Sequence, residues 1–392
     1  MQQYLQLAQE VREHIHANPE LSFEEYKTSA YVQQQLTACG ISFVANIAGT
    51  GIVASVQGSN ANKHCIAFRS ELDALPITEA NQVAYKSVNN GVMHACGHDF
   101  HTATMLAAAK YLHEHSDEFE GTVKFIFQPG EEKDPGGASI MIAEGVLEQA
   151  PKIESIFALH VYPALPAGKV GTRGGTYMAS ADEIYITIKG KGGHAAMPHQ
   201  CIDPILIASH VLIGLQDIIS RKRNPIDPTV LTFGKIAGGT KGNIIPDEVT
   251  LDGTLRCMNE AWRSECHKLI TNYAQQIARN FGGDAEVKIL VGYPCVHNDE
   301  ALTQQVNRML SASFKPEDIE HLPLRMTADD FAFYSHQIPG CYIRIGTSNA
   351  DASQYTSGVH TNTFDIDAAS YKSALDVVLA ISKGYGKGKS LS

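Results

Sequence analysis

A change of rhythm between residues 182 and 291 constrains the fold more than any other feature of this sequence. Before it, short apolar runs at 52–56, 64–69, 122–127 and 155–161 alternate with helical patterns at 3–16, 102–115 and 138–147. Strands alternating with helices predict an α/β sheet covered on both faces. From residue 182 the order becomes strand (182–189), helix (204–221), strand (229–236), strand (248–256), helix (260–280) and strand (285–291). That order is βαββαβ, a split-βαβ or ferredoxin-like unit able to close a small core of its own. The alternating style then resumes, with helices at 300–314, 328–336 and 367–383 and a strand at 341–345. At 392 residues the chain is too long for one ordinary core. The expected architecture is a discontinuous α/β domain, 1–181 with 294–392, interrupted by an inserted domain at 182–293. Ser22 followed by Glu25 reads as a capping box opening a helix that runs to 38 and stops at Gly40. The tail from residue 384 is expected to fray.

Charge and cysteine content narrow the function. The net charge of −11 argues against a nucleic-acid binder, which needs a basic patch to collect phosphates. The N-terminal segment carries charge and lacks the apolar block of a signal peptide. The longest apolar stretch, near 205–215, is broken by Ser209 and His210, so no membrane span is expected. Eight scattered cysteines with no CxxC pair suit a reduced, cytoplasmic protein.

Four segments concentrate metal-type ligands. In His94-Ala95-Cys96-Gly97-His98-Asp99-Phe100-His101, Cys96 and His98 lie two apart around a glycine on a strand-to-helix loop. Thiolate and imidazole suit borderline-soft divalent metals. In Gln128-Pro129-Gly130-Glu131-Glu132, two adjacent carboxylates emerge where a strand ends, the edge at which open α/β sheets bind ligands. One can coordinate a metal while its neighbour serves as general base. His160 ends a third strand, and His360 precedes the closing helix. A lone histidine is more often structural than catalytic. Together, however, Cys96, His98, Glu132, His160 and His360 supply donors from several sheet ends, a set that suits two metals sharing a site. Asp73 could accept the spare N–H of a ligating histidine, although alone it reads as a turn residue before Pro76. In the inserted domain, His194 in a glycine-rich turn, Asn243 and Arg256 would suit an amide oxygen and a carboxylate.

These motifs, in this order from His16-Ala17-Asn18-Pro19-Glu20-Leu21 to Val359-His360, resemble the aminoacylase/carboxypeptidase-like family of two-metal peptidases. The branch they are most similar to comprises hippurate hydrolases, indoleacetyl-amino-acid hydrolases and N-acetyl-diaminopimelate deacetylases. The resemblance spans essentially the whole chain. It implies a mixed-sheet, metallopeptidase-like catalytic domain and a ferredoxin-like lid that also forms a homodimer or higher homo-oligomer. It implies two divalent ions, Zn2+ or Mn2+, on Cys96, His98, Glu132, His160 and His360, with Asp73 behind them. It makes Glu131 the general base on a metal-bound water and His194 the group that polarises the scissile carbonyl, reaching across a dimer. The implied reaction is hydrolysis of small N-acyl amino acids, with a di- or tripeptidase or a non-catalytic metal-binding protein as alternatives. Glu71, Gly130 and Asp329 stand where the branch usually has aspartate, alanine and glutamate, which bears on pocket shape more than on activity.

Overall fold

The computed structural model describes residues 1–349 and 354–386, so most of the expected frayed tail lies outside the described residues. Helices Gln2–Ala17 (α1) and Tyr26–Ala38 (α2) lead into strands Ser42–Ile47 (β1), Gly51–Gln57 (β2) and Cys65–Glu71 (β3). Helix His98–Glu114 (α3), strand Thr122–Gln128 (β4), helix Gly137–Ala143 (α4) and strands Ser155–Pro166 (β5) and Val170–Thr172 (β6) follow. After Gly175–Met178 (β7) come Asp182–Lys189 (β8), Gly193–His194 (β9), Pro204–Asp217 (α5), Thr229–Ala237 (β10) and Ile244–Ile245 (β11). Glu248–Cys257 (β12), Glu260–Asn280 (α6), Asp284–Val291 (β13) and Val296–Asn298 (β14) complete the middle. The chain ends with Glu300–Leu310 (α7), Ile319–His321 (β15), Phe331–Ser335 (α8), Gly340–Ser348 (β16) and Ser370–Gly384 (α9).

Two compact units result. The first holds residues 1–175, 297–323 and 330–392. Its eight-stranded sheet has the order β1-β2-β4-β3-β5-β16-β6-β15. The four central strands β4, β3, β5 and β16 run parallel, and antiparallel strands flank them. Strands covered on both faces should be apolar throughout, and every residue of β3 and β4 is buried. The parallel strands end together, because Glu71 pairs with Gln128 and Arg69 with Ala158 in register. That common carboxyl edge is where the motif residues collect.

The second unit holds residues 176–296 and 324–329. The short piece 324–329, expected in the larger domain, joins this unit through a parallel bridge between Met178 and Arg325. Its elements run β8, α5, β10, β12, α6, β13, and the sheet order is β10-β12-β8-β13 with antiparallel neighbours. Ile184, Ile186 and Ile188 alternate inward from β8 and meet Ile207, Val211 and Leu215 of α5 and Ile270 and Ala274 of α6. By length and composition alone, the segment Pro204–Lys222 is apolar enough to cross a membrane. Its inner face is nevertheless part of this core, while Ile205, Leu206 and Ile213 remain exposed on the outside.

Two local expectations fail for tertiary reasons. Ser22 and Glu25 make no capping box, since α2 has no side-chain cap. The carboxylate of Glu20 instead accepts from the backbone N–H groups of Lys27 and Thr28. Helix α3 starts at His98 rather than near 102. Gly97, at φ 82, precedes it, so His98 and His101 lie in the first helical turn and not in a loop.

Candidate metal centre

Cys96 enters the site through a tight approach. A side chain at Gly97 would meet the Val161 side chain at 2.7 Å, so only glycine lets this corner press against β5. Cys96 Sγ consequently sits 3.4 Å from His160 Nε2. The Nδ1–H of His160 donates to the Val161 carbonyl at 2.9 Å, which leaves the Nε2 lone pair facing the thiol. His98 is fixed likewise: its Nδ1–H points at the backbone oxygen of Asp73 (2.9 Å) and at Asp73 Oδ1 (3.1 Å). His98 Nε2 is buried with no hydrogen-bond partner and lies 3.9 Å from Glu131 Oε2. Glu132 Oε1 is also buried without a hydrogen bond, 3.1 Å from His360 Nε2.

These donors form overlapping groups. Those of Cys96, His98 and His160 lie within 4.8 Å of one another, as do those of Cys96, Glu132 and His360, and those of His98, Glu131 and Glu132. Two groups of three sharing Cys96 give room for two ions. Orphaned buried polar atoms are costly unless a cation takes them, and the orphaned His98 Nε2 faces this cluster. The charge balance points the same way. Burial first, then Glu132, Glu131 and Glu71, push the Cys96 thiol well above its ordinary value. Burial lowers His98, but Glu71, Asp73 and Glu132 together outweigh it and hold the ring up to about 10. A site that protonates its own ligands has excess negative charge, which divalent cations would neutralise. The residues therefore fit a pair of such ions.

A further group of donors, Glu71, His98 and His101, is already engaged. His101 Nε2 accepts from the Val161 N–H at 3.0 Å, so its Nδ1–H donates to Glu71 Oε2 at 2.7 Å. Burial lowers the His101 pKa and keeps the ring neutral. The other Glu71 oxygen pairs with the buried Arg69 guanidinium, which also pairs with Asp330. Gln128 donates to both oxygens of Asp330, at 2.9 and 2.7 Å. Sequence reading assigned no role to Arg69, Gln128 or His101. Arg69 and Asp330 stand 261 positions apart, and only a charged residue inside an apolar strand hinted at the network.

The remaining candidates lie in the second unit. His194 pairs with Ile244 across β9 and β11, and the Ala195 N–H donates to the Asn243 carbonyl at 3.1 Å, so His194 and Asn243 are neighbours. The Ala196 N–H donates to His194 Nδ1 at 3.1 Å, which places the ring proton on Nε2. Arg256 is not brought to them. Glu248 pairs with Lys189, next to the glycine-rich turn, whereas Arg256 lies eight residues further along β12. At ~3.3 Å per residue it stands about 26 Å away along the strand. It shares the outer face of the sheet with Glu183, Tyr185 and Lys235.

Residues 67–383 match the family model described as Peptidase family M20/M25/M40. The chain is 40% identical over 337 residues to N-acetyl-L-cysteine deacetylase of Bacillus subtilis, covering 86% of this chain and 79% of that protein. It is 38% identical over 361 residues to IAA-amino acid hydrolase ILR1-like 4 of Arabidopsis thaliana, covering 91% and 80%. Among solved structures it superimposes on the Bacillus subtilis YXEP protein, described as a dinuclear metal binding peptidase from the M20 family. The TM-score is 0.84, with 31% identity over 98% of both chains.

Proposed function

Because the chain belongs to peptidase family M20/M25/M40, we propose that it is a two-metal amidohydrolase that cuts the amide bond of small N-acyl amino acids. The carrying observation is the pair of ligand groups on Cys96, with the Glu131 carboxylate beside His98. Cys96, His98, Glu132, His160 and His360 would hold the ions, with Zn2+ or Mn2+ suited to a mixed thiolate, imidazole and carboxylate set. Bound there, the ions would supply Lewis acidity and bring a water's pKa toward neutrality. Glu131 removes a proton from the attacking water as the C–O bond to the amide carbon forms. It returns that proton to the nitrogen as the C–N bond breaks, leaving a carboxylic acid and a free amino acid. Asp73 keeps His98 in the tautomer that presents Nε2. All eight cysteines, each among the described residues, are unpaired, which supports a reducing compartment such as the cytoplasm.

The second unit is proposed as a ferredoxin-like lid and dimerisation domain. The exposed His194 Nε2–H is a donor aimed outward, suited to the carbonyl oxygen as it gains charge, and the neighbouring Asn243 carboxamide is suited to the substrate's polar end. Arg256 is too far along its strand to join them on one small ligand. Losing one oxyanion donor typically costs about 10²–10³ in rate. His194→Ala is therefore expected to lower kcat by that order with metal content unchanged, and a loss under about tenfold would remove His194 from this role. The outward stripe of Ile205, Leu206 and Ile213 on α5 supports a homodimer. Sedimentation velocity should find a dimer for the wild type and a monomer for Ile213→Asp. A wild-type monomer at micromolar concentration would end the dimer reading.

The test of the whole reading is amino-acid release from N-acetyl, N-benzoyl and indoleacetyl amino acids and from simple dipeptides, with Zn2+ or Mn2+ and with chelator. Metal-dependent release from the acyl amino acids is the expected result. Release from dipeptides alone would make the protein a peptidase instead, and bound metal without any turnover would favour a binding role.

A further inference from the structure

The turn that carries Glu131 and Glu132 is held from outside by a segment more than a hundred residues away in sequence, residues 20–25. Glu25 is fully buried, and its Oε1 accepts the N–H of Gly130 at 2.8 Å together with that of Phe23 at 2.8 Å. Its Oε2 accepts from the Thr50 hydroxyl at 2.8 Å. Ser22 Oγ donates to Asp73 Oδ2 at 2.7 Å, the same oxygen that receives the backbone N–H of Glu132 at 2.9 Å. Backbone ties complete the attachment: Leu21 bridges to Ala74, and the Ala74 N–H donates to the Glu20 carbonyl. The segment thus grips the ends of two neighbouring parallel strands, β3 through Asp73 and β4 through Gly130.

Its backbone is strained where it makes this grip. Phe23 sits at φ 67, while Gly130 opposite it takes φ 59 without strain as a glycine. The left-handed region is sterically costly for a non-glycine residue, and such outliers persist only where the surroundings over-determine them, often at functional sites. Here the Phe23 ring fills the space a side chain at residue 130 would take, since a Cβ there would lie 2.4 Å from its Cζ. Pro129-Gly130 is a bare turn that by itself fixes neither carboxylate. Catalysis and metal binding both need those carboxylates placed closely. The sequence motif Ser22-Phe23-Glu24-Glu25 has no other use in the structure as a helix cap.

We propose that Ser22 and Glu25 are positioning residues for this turn: Glu25 sets the backbone that aims Glu131, and Ser22, through Asp73, sets Glu132 and His98. Neither residue touches substrate or the reacting atoms. The proposal rests on the hydrolase reading only for its kinetic readout, because its metal readout is independent of substrate.

The test uses the full chain carrying Ser22→Ala, Glu25→Ala or Glu25→Gln. Zinc affinity is measured by competition with a chromophoric chelator, the melting temperature is measured on chelated protein, and kcat and KM are measured on the best N-acyl amino acid. Removing a group that orients metal ligands typically costs about 10–100-fold in affinity or activity. Ser22→Ala is expected to weaken zinc binding within that range while the melting temperature of the metal-free protein stays near wild type. Glu25→Ala is expected to lower kcat by a similar factor with KM little changed. Glu25→Gln recovers most of it, since the amide oxygen still accepts from Gly130 and Phe23. Wild-type zinc affinity in Ser22→Ala, or equal losses in Glu25→Ala and Glu25→Gln, would overturn the proposal while leaving the hydrolase reading intact. If Glu25→Ala does not fold, the Ser22→Ala affinity decides. A wild-type protein that takes up no ion would remove the hydrolase reading and this inference together.

Discussion

Glu131→Gln is expected to lower kcat by about 10²–10⁴, the usual contribution of a positioned acid–base group, while the protein still binds two ions. Glutamine keeps the size of the side chain and its place on the turn but cannot take a proton from water. The adjacent Glu132 offers no substitute, because its Oε1 faces His360 within the ligand group. Glu131 lies 3.9 Å from His98 and beside the ligand groups. The loss should fall on kcat, since the proton transfer belongs to the chemical step and not to ground-state binding. Elemental analysis alongside steady-state kinetics makes the check. Near-normal turnover with both ions present would exclude Glu131 as the base, and loss of the ions would recast it as a ligand.

The parts of this site that were legible in the sequence are those in which side-chain chemistry and strand position coincide. Glu131 and Glu132 fall just after a run that reads as a strand, and Cys96 and His98 just before one that reads as a helix; paired carboxylates, thiol and imidazole are unusual at such ends. The middle unit was legible because its strand periodicity breaks the alternation around it. What was hidden depends on partners far apart in the chain. Ser22 and Glu25 match a capping box by local spacing, yet each finds a stronger tertiary partner, Asp73 and the Gly130 N–H respectively. The start of α3 was misplaced because polar residues in its first turn resemble a loop. Asp99 there is instead bonded to Arg12 and His16 of α1, which offsets the cost of burying it. Arg69 needed Glu71 and Asp330 to be tolerable inside β3, and only the folded sheet supplies both. Arg256 shows the reverse error: strand membership was readable, but which end of the strand faces the glycine-rich turn was not.

Metal affinity should climb steeply with pH, because binding has to displace protons that the empty site holds tightly. His98, held up to about 10 by Glu71, Asp73 and Glu132 against the effect of burial, is a cation in the metal-free fold at neutral pH. Cys96, raised by burial and the same acidic surroundings, is a neutral thiol there. Both must be deprotonated as ligands, so the logarithm of the apparent zinc affinity is expected to rise with a slope approaching about two per pH unit between roughly pH 6.5 and 9. The sign for stability follows from the same values. A histidine whose folded pKa lies above its unfolded value of about 6.5 contributes stability that is fully present below that pH and is lost as pH rises through about 10. The metal-free protein should therefore melt progressively lower over that window. His16, held up to about 9 by Asp99 and Glu79 although burial lowers it, acts in the same direction. It belongs to the loaded and the metal-free protein alike, so it cancels in their difference. The gap between loaded and chelated melting temperatures isolates the ligands, and it should widen from pH 6.5 toward 10. A gap that stays constant, or a zinc affinity flat across that range, would mean that His98 and Cys96 do not surrender protons to the ion and that the ligand set lies elsewhere.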